Sequence, residues 1–155
     1  MATRTPKAAF AAMALGAAAL LLLPDHGRAS APAGRYALSN GNVVDTVTGL
    51  TWQQTVEDTG RTEPLAETYC QTLHYGGFTS GWRLPSISEL ETLVDRSVHS
   101  PAIDTGAFPG IPLRNFWSST PDAADSSKLW LISFDSDGQS DTDSYDYGHA
   151  TRCVR

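Results

Sequence analysis

The residues with most chemistry to offer crowd near the end of the chain. Asp135, Asp137, Asp141, Asp143 and Asp146 fall within twelve residues around Gly138. Clustered carboxylates at a turn suit a hard cation such as Ca²⁺, which takes about six to eight oxygen ligands from a bendable backbone. Asp135, Asp137, Asp141 and Asp143 are therefore the candidate calcium set. Their spacing is not that of an EF-hand loop, where glycine follows three alternating ligands. The competing reading is a solvated hairpin loop, with Asp and Ser chosen for turn formation. Tyr145, Tyr147 and His149 alternate through the same region. Aromatic rings exposed on a loop can stack on a sugar or anchor a protein partner. With Asp137 they make the candidate ligand-binding set, whereas Trp117 and Trp130 read as core.

No pattern points to catalysis. His74, His99 and His149 lack zinc-ligand spacing. Ser, His and Asp all occur, but no motif assembles them. The expectation is a protein that is not an enzyme. A second distinctive phrase is "GWRLPSISELETLVD", Gly81 to Asp95. Arg83 there could fork onto a carboxylate or sulfate. It could equally pair a nearby acid or cap carbonyls while Trp82 and Leu84, alternating with it, face the core. The second reading is preferred.

The chain opens like an export signal. Arg4 and Lys7 precede an uncharged apolar run from Ala8 to Leu23, and small residues follow in "GRASAPAG". Sixteen apolar residues are short for a membrane span, which needs about 20. Residues 1–29 are thus expected to be a cleaved signal peptide, with cleavage between Ala29 and Ala33. The product would be periplasmic or secreted, with no stable membrane span. Losing Arg4, Lys7, Arg28 and Asp25 leaves 8 basic against 16 acidic residues, a net charge of −8. Such a chain repels nucleic acid and anionic polymers. The only cysteines are Cys70 and Cys153. In an oxidising compartment an even pair reads as a disulfide, with two free thiols as the alternative.

These groups must be held by one domain of ordinary size, after a flexible lead-in at 30–34. Short strands begin at Tyr36, with Asn40-Gly41 as the hairpin turn and a second turn near Asp45 to Gly49. A first helix starts near Pro64 with Thr62 or Glu63 as cap. Leu65, Tyr69 and Leu73 make one apolar stripe, Ala66 and Cys70 sit beside it so that Cys70 is expected to face inward, and Gly76-Gly77 is expected to end the helix. Ser86 and Glu89 form a capping box for a second helix whose apolar face is Ile87, Leu90 and Val94. Residues 96–115 read as a long loop with few hydrophobic anchors. "FWSST" and "LWLISF" read as strands, "QSDTDSYDYGH" as a polar loop, and "ATRCVR" as a terminal strand.

Three blocks in this order, "NVVDTVTGLTWQQ", "YCQTLHYGGFTSGWRLPSISELETLVD" and "FWSST…LWLISFDSDG…TRCVR", resemble the Lcl C-terminal domain family. That family is named for the C-terminal domain of a collagen-like bacterial adhesin. Trp52, Trp82, Arg83, Ser86, Glu89 and Trp117 carry the structural signature of these blocks. The resemblance implies an α+β, C-type-lectin-like fold over 35–155, with two helices flanking small, mostly antiparallel sheets and long loops. It also implies a disulfide from the first helix to the last strand. The adhesin domain binds sulfated polysaccharide through basic residues, and the acidic charge here argues against that ligand. The Glu-Pro-Asn and Gln-Pro-Asp signatures of calcium-dependent lectins are missing from this sequence. The functional expectation is an exported adhesin-like module that recognises a glycan or protein through its loops. The alternatives are a calcium-stabilised structural subunit and an undetected enzyme.

Overall fold

A computed structural model describes Met1, Pro32, residues 34–135 and residues 137–155. Apart from Met1, the expected signal segment lies outside the described residues, as does most of the lead-in. Over the described residues the fold is α+β, with two three-stranded antiparallel sheets and two short helices. The first sheet has the order β1 (Tyr36–Ser39), β2 (Asn42–Asp45), β3 (Thr51–Gln53). Asn40 and Gly41 join β1 to β2 with φ of 51° and 78°. Two successive positive φ values are what a two-residue turn between right-twisted strands requires. The second sheet has the order β4 (Asn115–Pro121), β5 (Lys128–Ser133), β6 (Gln139–Ser144).

Neighbouring residues on β4 and β5 bury in opposite directions, as the period of two demands. Phe116 and Ile132 join a core containing Trp52, Leu90 and Phe108. Trp117 and Leu131 join a second core with Ala66, Trp82 and the cystine. The second sheet therefore separates two apolar layers, which accounts for the continuous apolar run in "LWLISF".

The tail stitches the molecule together. Thr51 N–H donates to Arg155 O and Arg155 N–H to Thr51 O, both at 2.9 Å, which lays the tail along β3. On its other side Val154 exchanges backbone bonds with Arg83 at 2.9 and 3.0 Å. Upstream, Ala150 bridges Phe116 on β4 in parallel. Cys153 is bonded to Cys70, with Cα atoms 5.4 Å apart. Arg152 between them is fully buried. Its Nη1 donates to the carbonyls of Gln53 and Gln54, and its guanidinium lies over the Phe108 ring, 4.6 Å from the centroid. Burial pulls its pKa down to about 9, which still leaves a cation at neutral pH.

Several expectations need correction. Helix α1 (Glu63–Gln71) has its N-cap at Thr62 and turns Cys70 inward with Ala66, as expected; Tyr69 and Leu73 of the apolar stripe pack half-buried against the same core, and only Leu65 departs. Leu65 is 59% exposed. The disulfide fixes which face of α1 turns inward, and Cys70 takes Ala66, one turn earlier, with it. Gly76-Gly77 does not end α1, whose C-cap is Thr72. Instead it forms a tight turn closed by reciprocal Tyr75–Phe78 backbone bonds, with φ of 61° and 87°. Helix α2 (Ile87–Glu91) is shorter than its apolar spacing implied. Residues 96–114 hold neither helix nor strand, yet they supply the buried residues Ala102, Ile103, Ala107 and Phe108. The largest miss is β6: "QSDTDS" is a strand paired with β5 across its whole length, not a loop. Finally, "ATRCVR" makes isolated bridges to β3, β4 and Arg83 rather than a regular strand.

Candidate functional site

Arg83 is the first candidate to place. Trp82 and Leu84 are buried while its own side chain is 48% exposed. Its Nη1 and Nη2 donate to Glu89 Oε2 and Oε1 at 2.8 and 2.5 Å. The same carboxylate accepts from Ser86 N–H at 2.8 Å, while Ser86 Oγ accepts from Glu89 N–H at 3.2 Å. Arg83 thus clamps the capping box of α2. The Arg83 hydrogen bond, joined by that from Ser86 N–H and opposed by partial burial, holds the Glu89 carboxyl down at about 2. The guanidinium is spent on structure rather than on a ligand fork.

The second candidate is the turn after β6. Tyr147 N–H donates to Ser144 O at 3.0 Å and folds the chain back. Glu63 N–H, at the start of α1, donates to Tyr145 O at 3.0 Å. Arg61 and His149 exchange backbone bonds at 2.8 and 2.9 Å. Gly60 and Gly148 pack backbone to backbone here; a Cβ on Gly60 would lie 3.1 Å from Gly148 O. The segments 57–63 and 144–149 are therefore locked side by side. Tyr145 and Tyr147 stand out from this pair, 42% and 61% exposed.

The side chains beneath the turn are tied in. His149 Nε2 lies 2.9 Å from Asp143 Oδ2, and its ring meets Trp117 edge-on with centroids 4.6 Å apart. Trp117 Nε1 donates to Arg61 O at 2.8 Å. The Arg61 guanidinium caps the Tyr69 ring at 4.0 Å and pairs with Glu57 at 2.8 Å. Arg114 pairs with Asp58 at 2.7 Å. His149 accordingly supports the turn from inside instead of alternating outward with the two tyrosines. Arg61, Gly60, Gly148, Asp58 and Arg114 were missed in the sequence, because each matters only through a partner far along the chain.

Asp137 does not join this face. It precedes β6, whereas Tyr145 follows it, and a strand rises about 3.3 Å per residue, so roughly 20 Å of strand separates them. Asp137 instead meets His99 of the long loop at 2.7 Å. The candidate calcium carboxylates are also spread out. Asp141 and Asp143 stand along β6 opposite Leu131 and Leu129, while Asp135 and Asp137 sit in the turn before it. Among the described residues no three His, Cys, Asp or Glu side chains gather as a metal-holding group. Among them, too, no helix is long and apolar enough to cross a membrane.

The molecule is a small disulfide-closed α+β domain with a loop-borne aromatic face. The chain belongs to the Lcl C-terminal domain family, whose model matches residues 41–155. A search of curated proteins found no match.

Proposed function

We propose that this domain is an exported, adhesin-like binding module that engages a glycan or a protein through Tyr145 and Tyr147. One observation carries the reading: two exposed rings project from a turn that backbone bonds to Glu63 and Arg61 hold rigid. Rings held in place before binding lose little entropy on contact. Membership of a family associated with an adhesin supports the same reading. The acidic balance of the chain supports a ligand other than nucleic acid or a polyanion.

The reading places the protein in the periplasm or outside the cell, on the strength of the basic, apolar and small-residue order of residues 1–29 and of the Cys70–Cys153 bond. It also takes the fold as C-type-lectin-like, because the two sheets and two helices leave long loops on the surface. Binding is preferred to catalysis because both cysteines are consumed in the disulfide, so no thiolate is left to attack a substrate. A glycan-array and protein pull-down screen with the purified protein tests the proposal. A ligand should emerge and be lost on Tyr145→Ala with Tyr147→Ala; retention by the double variant would remove this face from the account.

A further inference from the structure

A concave feature elsewhere on the domain shares no residue with the tyrosine face. A cavity of about 420 Å³ opens where the chain enters β1, across from the end of α2 and the long loop. Its volume lies within the roughly 300–1,000 Å³ range of small-molecule sites. Arg35 and Tyr36 line one side; Leu93, Val94, Asp95 and Asp104 line the others.

The polar groups here are held in advance. Arg35 is pinned by Asp45 at 3.1 and 2.7 Å and by Thr92 O at 2.7 Å, through Nε and Nη2. Its Nη1 has no hydrogen-bond partner among the described residues. Asp104 Oδ1 accepts from Gly106 and Ala107 N–H at 2.8 and 3.1 Å. Asp95 Oδ1 accepts from the N–H and Oγ of Ser97. Turn formation accounts for one oxygen of each aspartate and leaves the other, Oδ2, without a partner among the described residues. The Tyr36 ring is wedged edge-on against Phe108, centroids 5.3 Å apart, and its hydroxyl likewise has no partner among them. Burial pushes that phenol up to about 12, so it remains a neutral donor at physiological pH.

Arg35 and Tyr36, which carry spare donors, thus border one side of the cavity, and Asp95 and Asp104, which carry spare acceptors, border the others, with half-buried Val94 as the apolar surface between them. Charge is near balance. Arg35 is matched by Asp45 behind it, and Arg96 at the rim stands against the two aspartates. Donors on one side and acceptors on the others, with Val94 between, match the hydroxyls and C–H face of a sugar ring, whereas an ion would find both signs. We propose that this cleft binds one neutral sugar unit, as a site additional to the Tyr145/Tyr147 face.

The test is amide-resolved NMR of the purified protein titrated with neutral hexoses and N-acetylhexosamines, one at a time. At least one sugar should shift the signals of Arg35, Tyr36, Asp95 and Asp104. Tyr36→Phe removes only the hydroxyl and should weaken that sugar by about three- to ten-fold, the worth of a neutral hydrogen bond; Asp104→Asn keeps the turn-forming oxygen and should weaken it by about ten-fold, the worth of one charge-assisted bond. Tyr145→Ala with Tyr147→Ala should leave it unchanged, which separates this site from the tyrosine face. The idea fails if no sugar shifts those signals, if both cleft variants bind like the wild type, or if methylammonium shifts them and the sugars do not.

Discussion

Glu89→Gln isolates the interaction that makes the Gly81–Asp95 phrase distinctive. The glutamine keeps a carbonyl oxygen for Ser86 N–H, so the capping box survives, but the two-pronged ion pair with Arg83 is lost. The carboxyl is held at about 2 against an ordinary 4.5. At 1.36 kcal/mol per pKa unit that difference corresponds to about 3.4 kcal/mol. Arg83 is 48% exposed, so solvent screening reduces it to about 1.5–2 kcal/mol. A carboxyl whose pKa is lowered by folding stabilises fully above its unfolded value of 4.5, and that contribution fades as pH falls towards 2. Urea denaturation at neutral pH should show the variant weaker by that amount, with a Tm lower by about 5 °C or more. Between pH 5 and pH 2 the wild type should lose stability faster, and the two curves should converge. Equal stability at neutral pH, or parallel curves down to pH 2, would refute the clamp.

Two further outcomes bear on the frame. Cys70 and Cys153 are 83 residues apart, and in the chain-entropy account a loop of that size contributes about 4–5 kcal/mol. Reduction should therefore add two hydrogens to the intact mass and lower the urea midpoint sharply; a mass unchanged by reductant would remove the bond. With Asp135, Asp137, Asp141 and Asp143 spread along β6 and the turn before it, added Ca²⁺ and EDTA should give the same melting midpoint; a rise of several degrees with Ca²⁺ would restore the calcium-stabilised reading.

Local chemistry was legible in the sequence wherever neighbours decide the structure. Asn40-Gly41 dictates its turn by backbone sterics, and Ser86 with Glu89 cap α2 from three residues apart. Burial of Trp82 and Leu84 followed from their alternation with Arg83; Trp117 is core as read, whereas Trp130, read the same way, is only half-buried. Features set by distant partners were not legible. β6 carries no apolar residue, so only its pairing with β5 makes it a strand. On α1 the apolar stripe reaches the core at Tyr69 and Leu73 but not at Leu65, because the cystine centres the inward face on Ala66 and Cys70. The outward stance of Tyr145 and Tyr147 depends on Gly60 meeting Gly148, and the inward turn of His149 on Asp143 and Trp117. The residues of the tyrosine face could be suggested from their types, but the scaffold beneath them could not.

The central claim is that this face binds. Its most direct measurement is the affinity of the ligand recovered from the glycan and protein screens, for the wild type and for Tyr145→Ala with Tyr147→Ala, at matched folding by circular dichroism. Exposed aromatic anchors are commonly worth about 2 kcal/mol or more each, so the double variant should bind at least about 100-fold more weakly at an unchanged Tm. Full affinity in the double variant would contradict the account.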